Sequence, residues 1–437
     1  MSRGGKRTRS QSLEYRKPEI GIRTAGFGDD YIPFEFEDDN FRTGEDIPRK
    51  RKHEEVEEKV SEQKESDRRP RLARYEDGTF TTPWMRNMNP SVPESAARFF
   101  HDEVEAFTRY ISPTPAENEL RRLIVKEIEI YARKIWSDAT ANAFGSVATG
   151  LYLPTGDIDV VIETVHVSSL SKASTQTALM RLANTLRNAG LAERRKIQVI
   201  AARVPIIKFN SVHGTPSRCR EDRADSSPTG GIPIDISINQ TNGIKAITMI
   251  KKYLDRFPAL RSLILVVKAY LNQRGMNEVY KGGLGSYSII CLAISFLQMH
   301  PKVRLGEINP SENLGVLVVE FFELYGFFFN YSGVGVSINN GGSYFLKKQR
   351  GWLDLAKPWL LSIIDPTDET NDISRGSFQM LRLKQTLGGA ALILSSRLLE
   401  VSEHIQSLQR GHYFSLRPQR PIETILGSIV AISPQVC

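Results

Sequence analysis

The sequence predicts an α+β chain of two lobes, on three observations. Residues 141–241 mix alternating apolar and polar runs with one helical run. Residues after Thr241 carry helical spacing almost without interruption. Residues 1–90 hold too much charge and too few core-forming runs to offset the entropy of ordering. The 437 residues allow two or three domains, and 40% hydrophobic content suffices for a sizeable core. With 58 Lys and Arg against 50 Asp and Glu, the net charge of +8 is a mild bias toward polyanions. Three scattered cysteines, Cys219, Cys291 and Cys437, with no CxxC, exclude a disulfide framework and a thiolate zinc site. They imply a reducing compartment. The longest apolar runs, 263–267 and 289–296, are too short to span a membrane. MSRGGKRTRSQS lacks the apolar centre of a secretory signal.

Each element follows in turn. RKRK at 49–52 fits a nuclear import signal or a phosphate-contacting arm, and equally a solvated tail. Order is expected from Pro93, where Phe100, Val104, Phe107 and Ile111 recur at helical spacing. Pro115 opens a second helix with Leu120, Ile124, Ile128, Tyr131 and Ile135 on one face. Both helices, within 91–140, are expected to join the helical lobe. ATANAFGS reads as a strand entering a turn, residues 157–164 as a strand, and 179–189 as a helix. Residues 197–209 read as two extended runs, 214–231 as a polar loop, and 232–239 as another alternating strand. Helices then run to Tyr325. Residues 332–344 and 366–377 read as loops, 378–409 as a helix, and 411–437 as a tail.

The chemistry is concentrated in carboxylates. Asp157 and Asp159 lie two apart on a strand, so both project from one face while Ile158, Val160 and Ile162 enter a core. Asp235 stands in a second strand of the same kind, between Ile234 and Ile236. If the two strands are neighbours, about 5 Å apart, the three acids converge. Converging carboxylates repel unless cations neutralise them, and hard oxygen ligands suit Mg²⁺ or Mn²⁺. A lone DxD is ordinarily a pair of exposed acids. Here Gly145-Ser146 precedes it, with Ser146 eleven residues before Asp157. Glycine permits close backbone approach, and serine adds a hydroxyl and an N–H that can grip phosphate oxygens.

GSVATGLYLPTGDIDVVI, ARVPIIKF, IDISINQTNGI, GGLGSYSIICL, NLGVLVVEFFELYG and DPTDETNDISRGSF together carry a resemblance. The chain resembles the nucleotidyltransferases whose catalytic domain is like that of DNA polymerase beta. Within them it is similar to noncanonical poly(A) polymerases of the nuclear TRAMP complex type, over about residues 90 to 400. The resemblance implies a polymerase-beta-like nucleotidyltransferase domain with a mixed sheet (141–241), a helical poly(A)-polymerase-associated domain (242–410), and a cleft between them. It implies template-independent transfer of AMP from ATP to an RNA 3′ end, with Asp157, Asp159 and Asp235 holding two Mg²⁺ or Mn²⁺ ions. The implied partners are a zinc-knuckle RNA-binding subunit, an RNA helicase and, indirectly, the nuclear exosome, in nucleoplasm or nucleolus and with no membrane.

The nucleotide pocket is read on both grounds. Gly145 and Ser146 would hold phosphates. Lys268, in an otherwise apolar helix, is either a snorkelling surface lysine or a triphosphate contact, and the resemblance implies the contact. Many relatives carry a second lysine one turn on, where this chain has Asn272. Asn242 can cap a helix and Gly243 can approach a ribose. Ser286 and Tyr287 read from spacing alone as the start of a core helix; the resemblance makes them nucleotide contacts. Asp365, Asp368, Asn371 and Arg375 read alone as an exposed turn; the resemblance makes them the base-reading motif. Uridylyl-adding relatives often have His where this chain has Asn371, which leans toward ATP. Three other readings stay open: a uridylyltransferase or mixed-nucleotide enzyme, a catalytically inactive scaffold of a decay complex, and a plain RNA-binding protein with surface acids.

Overall fold

Apolar side chains collect into two separate cores, and that split decides where a cleft can form. The computed structural model describes residues 82–88, 93–167, 172–192, 197–201, 204–215, 229–240, 242–410 and 422–432. RKRK, most of the N-terminal tail, most of the 214–231 loop, Cys219 and Cys437 lie outside them.

Two capped helices open the chain. In α1 (Ala96–Ile111) the Ser95 hydroxyl accepts from the Arg98 N–H. In α2 (Pro115–Arg133) Pro115 stands in the first turn and Thr114 closes a capping box with Glu117. Then come β1 (Thr140–Phe144), α3 (Gly145–Thr149), β2 (Ile158–Glu163), α4 (Lys172–Ala189), β3 (Gln198–Ile200), β4 (Ile206–Thr215) and β5 (Thr229–Ile238). The five strands form one mixed sheet in the order β1-β2-β5-β4-β3. β2 and β5 pair in parallel, and the other pairs are antiparallel. Alternation sorts the two faces. Ile158, Val160, Ile162, Ile207, Phe209, Ile234, Ile236 and Ile238 enter the smaller core beneath α4. Asp159, Lys208 and Asp235 fall on the opposite face.

α2 belongs to this smaller core, which corrects the expectation that both early helices join the helical lobe. Ile124, Val125, Ile128 and Ala132 pack with the back of the sheet, whereas Phe100, Val104 and Phe107 of α1 enter the larger core. An amphipathic stripe demands a partner without saying which one. The turn after β1 is itself the short helix α3.

The larger lobe contains α5 (Asn242–Arg256), α6 (Leu260–Asn272), α7 (Ser286–Met299), α8 (Pro301–Arg304) and α9 (Leu314–Glu323). They are followed by β6 (Val334–Ser337), β7 (Ser343–Leu346), α10 (Lys347–Arg350), β8 (Ile364–Asp365), β9 (Asp368–Asp372) and α11 (Met380–Gln409). Residues 332–344 and 366–377, expected as loops, contribute to two small antiparallel ribbons, β6–β7 and β8–β9. Among the described residues, no helix is long and apolar enough to cross a membrane.

Both predicted tails supply core. Trp84, inside the expected N-terminal tail, is 1% exposed and stacks edge-on against Phe107 with ring centroids 5.0 Å apart. Ile425, Leu426, Ile429 and Val430, inside the expected C-terminal tail, are fully buried. Glu103 of α1 ties both segments down. Its carboxylate accepts from the Trp84 indole at 3.2 Å, the Ile425 N–H at 2.8 Å, the Leu426 N–H at 3.0 Å and the Thr424 hydroxyl. Burial pushes this carboxyl above its ordinary range, and the four donors oppose the shift.

Candidate active site

Register alone brings the acids together. In the parallel β2–β5 pair, Asp159 stands opposite Asp235, so both carboxylates leave the same face of adjacent strands. Asp157 precedes β2 by one residue, and Lys208 of β4 stands opposite Asp235 on the far side. The Lys208 ammonium donates to Asp235 Oδ2 at 3.0 Å, while Asp235 Oδ1 is buried with no hydrogen-bond partner.

The charges here are under stress. Burial, then repulsion from Asp157 and Asp235, pushes the Asp159 carboxyl up to about 7, against the pull of Lys208 and Lys268. Burial raises Asp235 too, with Asp157 adding and Lys208 opposing. A buried carboxylate oxygen with no donor, beside an acid whose charge burial and neighbouring carboxylates disfavour, is a donor set that a cation would satisfy. The residues therefore fit a divalent cation. They do not already form a cage: among the described residues, no three Asp, Glu, His or Cys side chains stand close enough to hold an ion. Lys208 takes one side of Asp235 instead.

Gly145 builds the wall of this site. It sits at φ +60°, where a side chain is strained, and a Cβ there would come within 2.4 Å of Asp159 Oδ2. Ser146 follows in the first turn of α3. Gly243, in the first turn of α5, lets that helix approach β1, since a Cβ there would lie 3.0 Å from the Phe144 ring. Asn242 opens α5.

Three cations, from the two helices α2 and α6, hold the backbone that leads from α3 to the acids. Lys268 of α6 donates to the Leu151 carbonyl at 2.7 Å, and Arg261 to the Gly150 carbonyl at 2.7 Å. Arg121 of α2 donates to the carbonyls of Pro154 at 3.3 Å and Asp157 at 3.4 Å, with its guanidinium 4.1 Å from the Tyr152 ring centroid. Sequence reading singled out Lys268 but missed Arg121 and Arg261. A charged residue on an amphipathic helix reads as a solvated one, and only the fold buries it. Burial lowers the Lys268 ammonium to about 8, although Asp157 and Asp159 support its charge.

A second cluster lies on the helical lobe. Tyr287, in the first turn of α7, donates its hydroxyl to Asp365 Oδ1 at 3.3 Å. Asn371 of β9 donates its amide to Asp365 Oδ2 at 3.1 Å. The Thr367 N–H and hydroxyl complete the ring around Asp365 at 2.9 and 2.8 Å. Ser286 adjoins Tyr287, and Arg375 follows the ribbon in a turn. Asp368 is spent locally on Thr370, and Asn272 accepts from Asn277 at 2.8 Å. α7 packs beside α6, the helix carrying Lys268.

A sheet face of acids walled by a glycine, in a chain that also carries a polar ribbon against α7, has counterparts among known proteins. A family model described as Poly(A) RNA polymerase, mitochondrial-like, central palm domain matches residues 100–255. A second, Cid1 family poly A polymerase, matches residues 313–371. The solved polymerase core of TRAMP, an RNA surveillance complex, is 38% identical, with a TM-score of 0.66 over 80% of this chain and 98% of that one. This chain belongs to the noncanonical poly(A) RNA polymerase family. Its fold is therefore the polymerase-beta-like nucleotidyltransferase palm with a poly(A)-polymerase-associated helical domain. Poly(A) RNA polymerase CID14 of Cryptococcus neoformans is 45% identical over 330 residues, covering 75% of this chain and 40% of that protein. The chain spans about half the length of the curated family members it first matches, from 40% to 51%. The family also includes an inactive noncanonical poly(A) RNA polymerase, protein Trf4-2 of Drosophila melanogaster, 34% identical over 68% of each chain.

Proposed function

We propose that this chain is a template-independent polynucleotide adenylyltransferase. It moves AMP from ATP to the 3′-hydroxyl of RNA and releases pyrophosphate. The observation that carries the reading is the register of Asp159 with Asp235, beside Asp157 and against Gly145.

Asp157, Asp159 and Asp235 would hold the divalent cations, Mg²⁺ or Mn²⁺. When bound, such ions lower the pKa of the attacking hydroxyl and neutralise the leaving pyrophosphate. The chain's own residues do the rest. Gly145 leaves room for the Asp159 carboxylate and for phosphate oxygens beside Ser146. Lys268 holds the loop after α3 and supplies positive charge behind the acids, within electrostatic reach of Asp157 and Asp159. The 3′ oxygen bonds to the α-phosphorus, the bond to pyrophosphate breaks, and the hydroxyl proton passes to solvent.

Base choice follows from the second cluster. With one amide N–H bonded to Asp365, the Asn371 side chain is oriented and its amide oxygen remains as an acceptor. Adenine offers a 6-amino donor to such an acceptor, whereas uracil offers a carbonyl there. Tyr287 supplies a ring for stacking. Retention of all three acids favours an active enzyme over a scaffold. The partners of a TRAMP-type complex and a nuclear setting form part of the same proposal.

The test is extension of a generic RNA by the full chain with Mg²⁺ and each of four nucleoside triphosphates. ATP should be used best, and Asn371→His should narrow the preference for ATP over UTP by about tenfold. Equal use of all four nucleotides would contradict adenylyl selectivity. No extension by the wild type under any of them would contradict the polymerase itself.

A further inference from the structure

Beside the nucleotide cluster lies an exposed apolar ledge to which no step above assigns a role. Tyr280 is 74% exposed, Phe378 50% and Val279 44%. Glycines let Phe378 and Val279 pack closely on the turn that leads into α7. A Cβ on Gly282 would meet the Phe378 ring at 2.5 Å, and Cβ atoms on Gly285 and Gly376 would meet the Val279 side chain at 2.7 and 2.5 Å. Gly285 directly precedes Ser286 and Tyr287. The ledge is also fixed by backbone: Gln379 N–H donates to the Gly282 carbonyl at 3.0 Å, and the Ser377 hydroxyl to the Gly283 carbonyl at 2.8 Å. Rings this exposed on a pinned turn contribute nothing to the core.

Cations flank the rings. The Lys281 ammonium lies 5.2 Å from the Tyr280 ring centroid and pairs with Glu278 at 2.9 Å. Across the cleft, Lys208 pairs with Asp235 at 3.0 Å while half exposed, and it lies within electrostatic reach of Glu278 and Tyr280.

We propose that Tyr280 and Phe378, flanked by Lys281 and Lys208, seat the last unpaired nucleotides of the RNA. Bases stack on the two rings, and phosphates pair with the two ammonium groups. Single-stranded nucleic acid is held by this combination of aromatic faces and cations, which needs no particular base. A protein partner fits less well. Docked here it would cover the approach to Asp235, whereas a polyanion brings the charge that both lysines can pair with. The inference rests on the polymerase reading for its substrate.

The probe is a short, unstructured, fluorescent oligoribonucleotide, binding the full chain without ATP. Tyr280→Ala should weaken binding about tenfold, and Tyr280→Phe, which keeps the ring, should bind like wild type. With an oligonucleotide abasic at its 3′-terminal positions, wild type and Tyr280→Ala should bind alike. Lys281→Ala should lower the slope of log affinity against log salt by about 0.7. In extension assays the Tyr280→Ala defect should appear in the KM for RNA. Unchanged affinity in Tyr280→Ala, with unchanged melting, overturns the proposal and leaves the ledge to a protein. An equal loss on intact and abasic ends overturns it as well, because the ring would not then be stacking. A wild type that binds RNA through Tyr280 yet adds no nucleotide refutes the polymerase reading and leaves the ledge standing.

Discussion

Two carboxylate sites among the described residues are built on opposite principles. Under α1, Glu103 is fully buried and receives four donors that join the two ends of the described chain to the helical lobe. On the cleft face of the sheet, Asp159 and Asp235 crowd each other and Asp157, and Asp235 Oδ1 has no donor at all. A satisfied buried charge holds structure together, whereas a frustrated one stores affinity for whatever relieves it. The contrast separates an architectural acid from functional ones without any appeal to motif.

The largest effect should come from emptying the cleft. Asp159→Ala should lower nucleotide addition by at least about a thousandfold, since a transition-state charge site is lost. Its metal-free melting temperature should hold or rise at neutral pH, because repulsion is relieved. A variant that melts normally and extends RNA at the wild-type rate would erase the distinction. Next is Gly145→Ala, which places a Cβ against the Asp159 carboxylate from a strained backbone. A displaced ligand should lower the rate about a hundredfold, with RNA affinity kept. Loss of binding without loss of rate would contradict that placement.

The architectural acid should behave in the reverse way. Glu103→Ala leaves the Trp84 indole and the Ile425 and Leu426 N–H groups unpaired, at a cost of about 3 kcal/mol in urea unfolding. Turnover per folded molecule should be retained. A variant as stable as wild type would show the four bonds to be dispensable.

The two regions also differ in how far the sequence discloses them. The cleft acids are legible because strands alternate: Ile158, Val160 and Ile162 must face a core, which turns Asp159 outward, and the same holds for Asp235. The pinning cations are not legible. Nothing in α2 distinguishes Arg121 from its solvated neighbour Arg122 until the loop at 151–157 folds beneath it. The Glu103 region was hidden for a related reason. Trp84 is a single aromatic near the end of a charged stretch, and Ile425 to Val430 is too short to show a period. Each gains its partner only from distant chain. The β8–β9 ribbon escaped because DETND has none of the β-branched alternation of a buried strand. Its role is to present Asp365 and Asn371, so its residues are polar.

The central claim is that crowded, underneutralised acids make a cation site, and metal-dependent melting tests it most directly. Asp159 ordinarily titrates near 3.8 and is raised to about 7 in the fold. The folded chain therefore binds the extra proton between those values. Stability from this group is present at low pH, declines as pH rises through about 7, and stays lost above it. A divalent cation needs the charged form, so its stabilisation should grow through the same window. Melting with and without saturating Mg²⁺ should show a clear upward shift at about pH 8, a much smaller one at about pH 5, and almost none at either pH in Asp159→Asn. A shift equal at both pH values, or one that survives Asp159→Asn, would contradict the account.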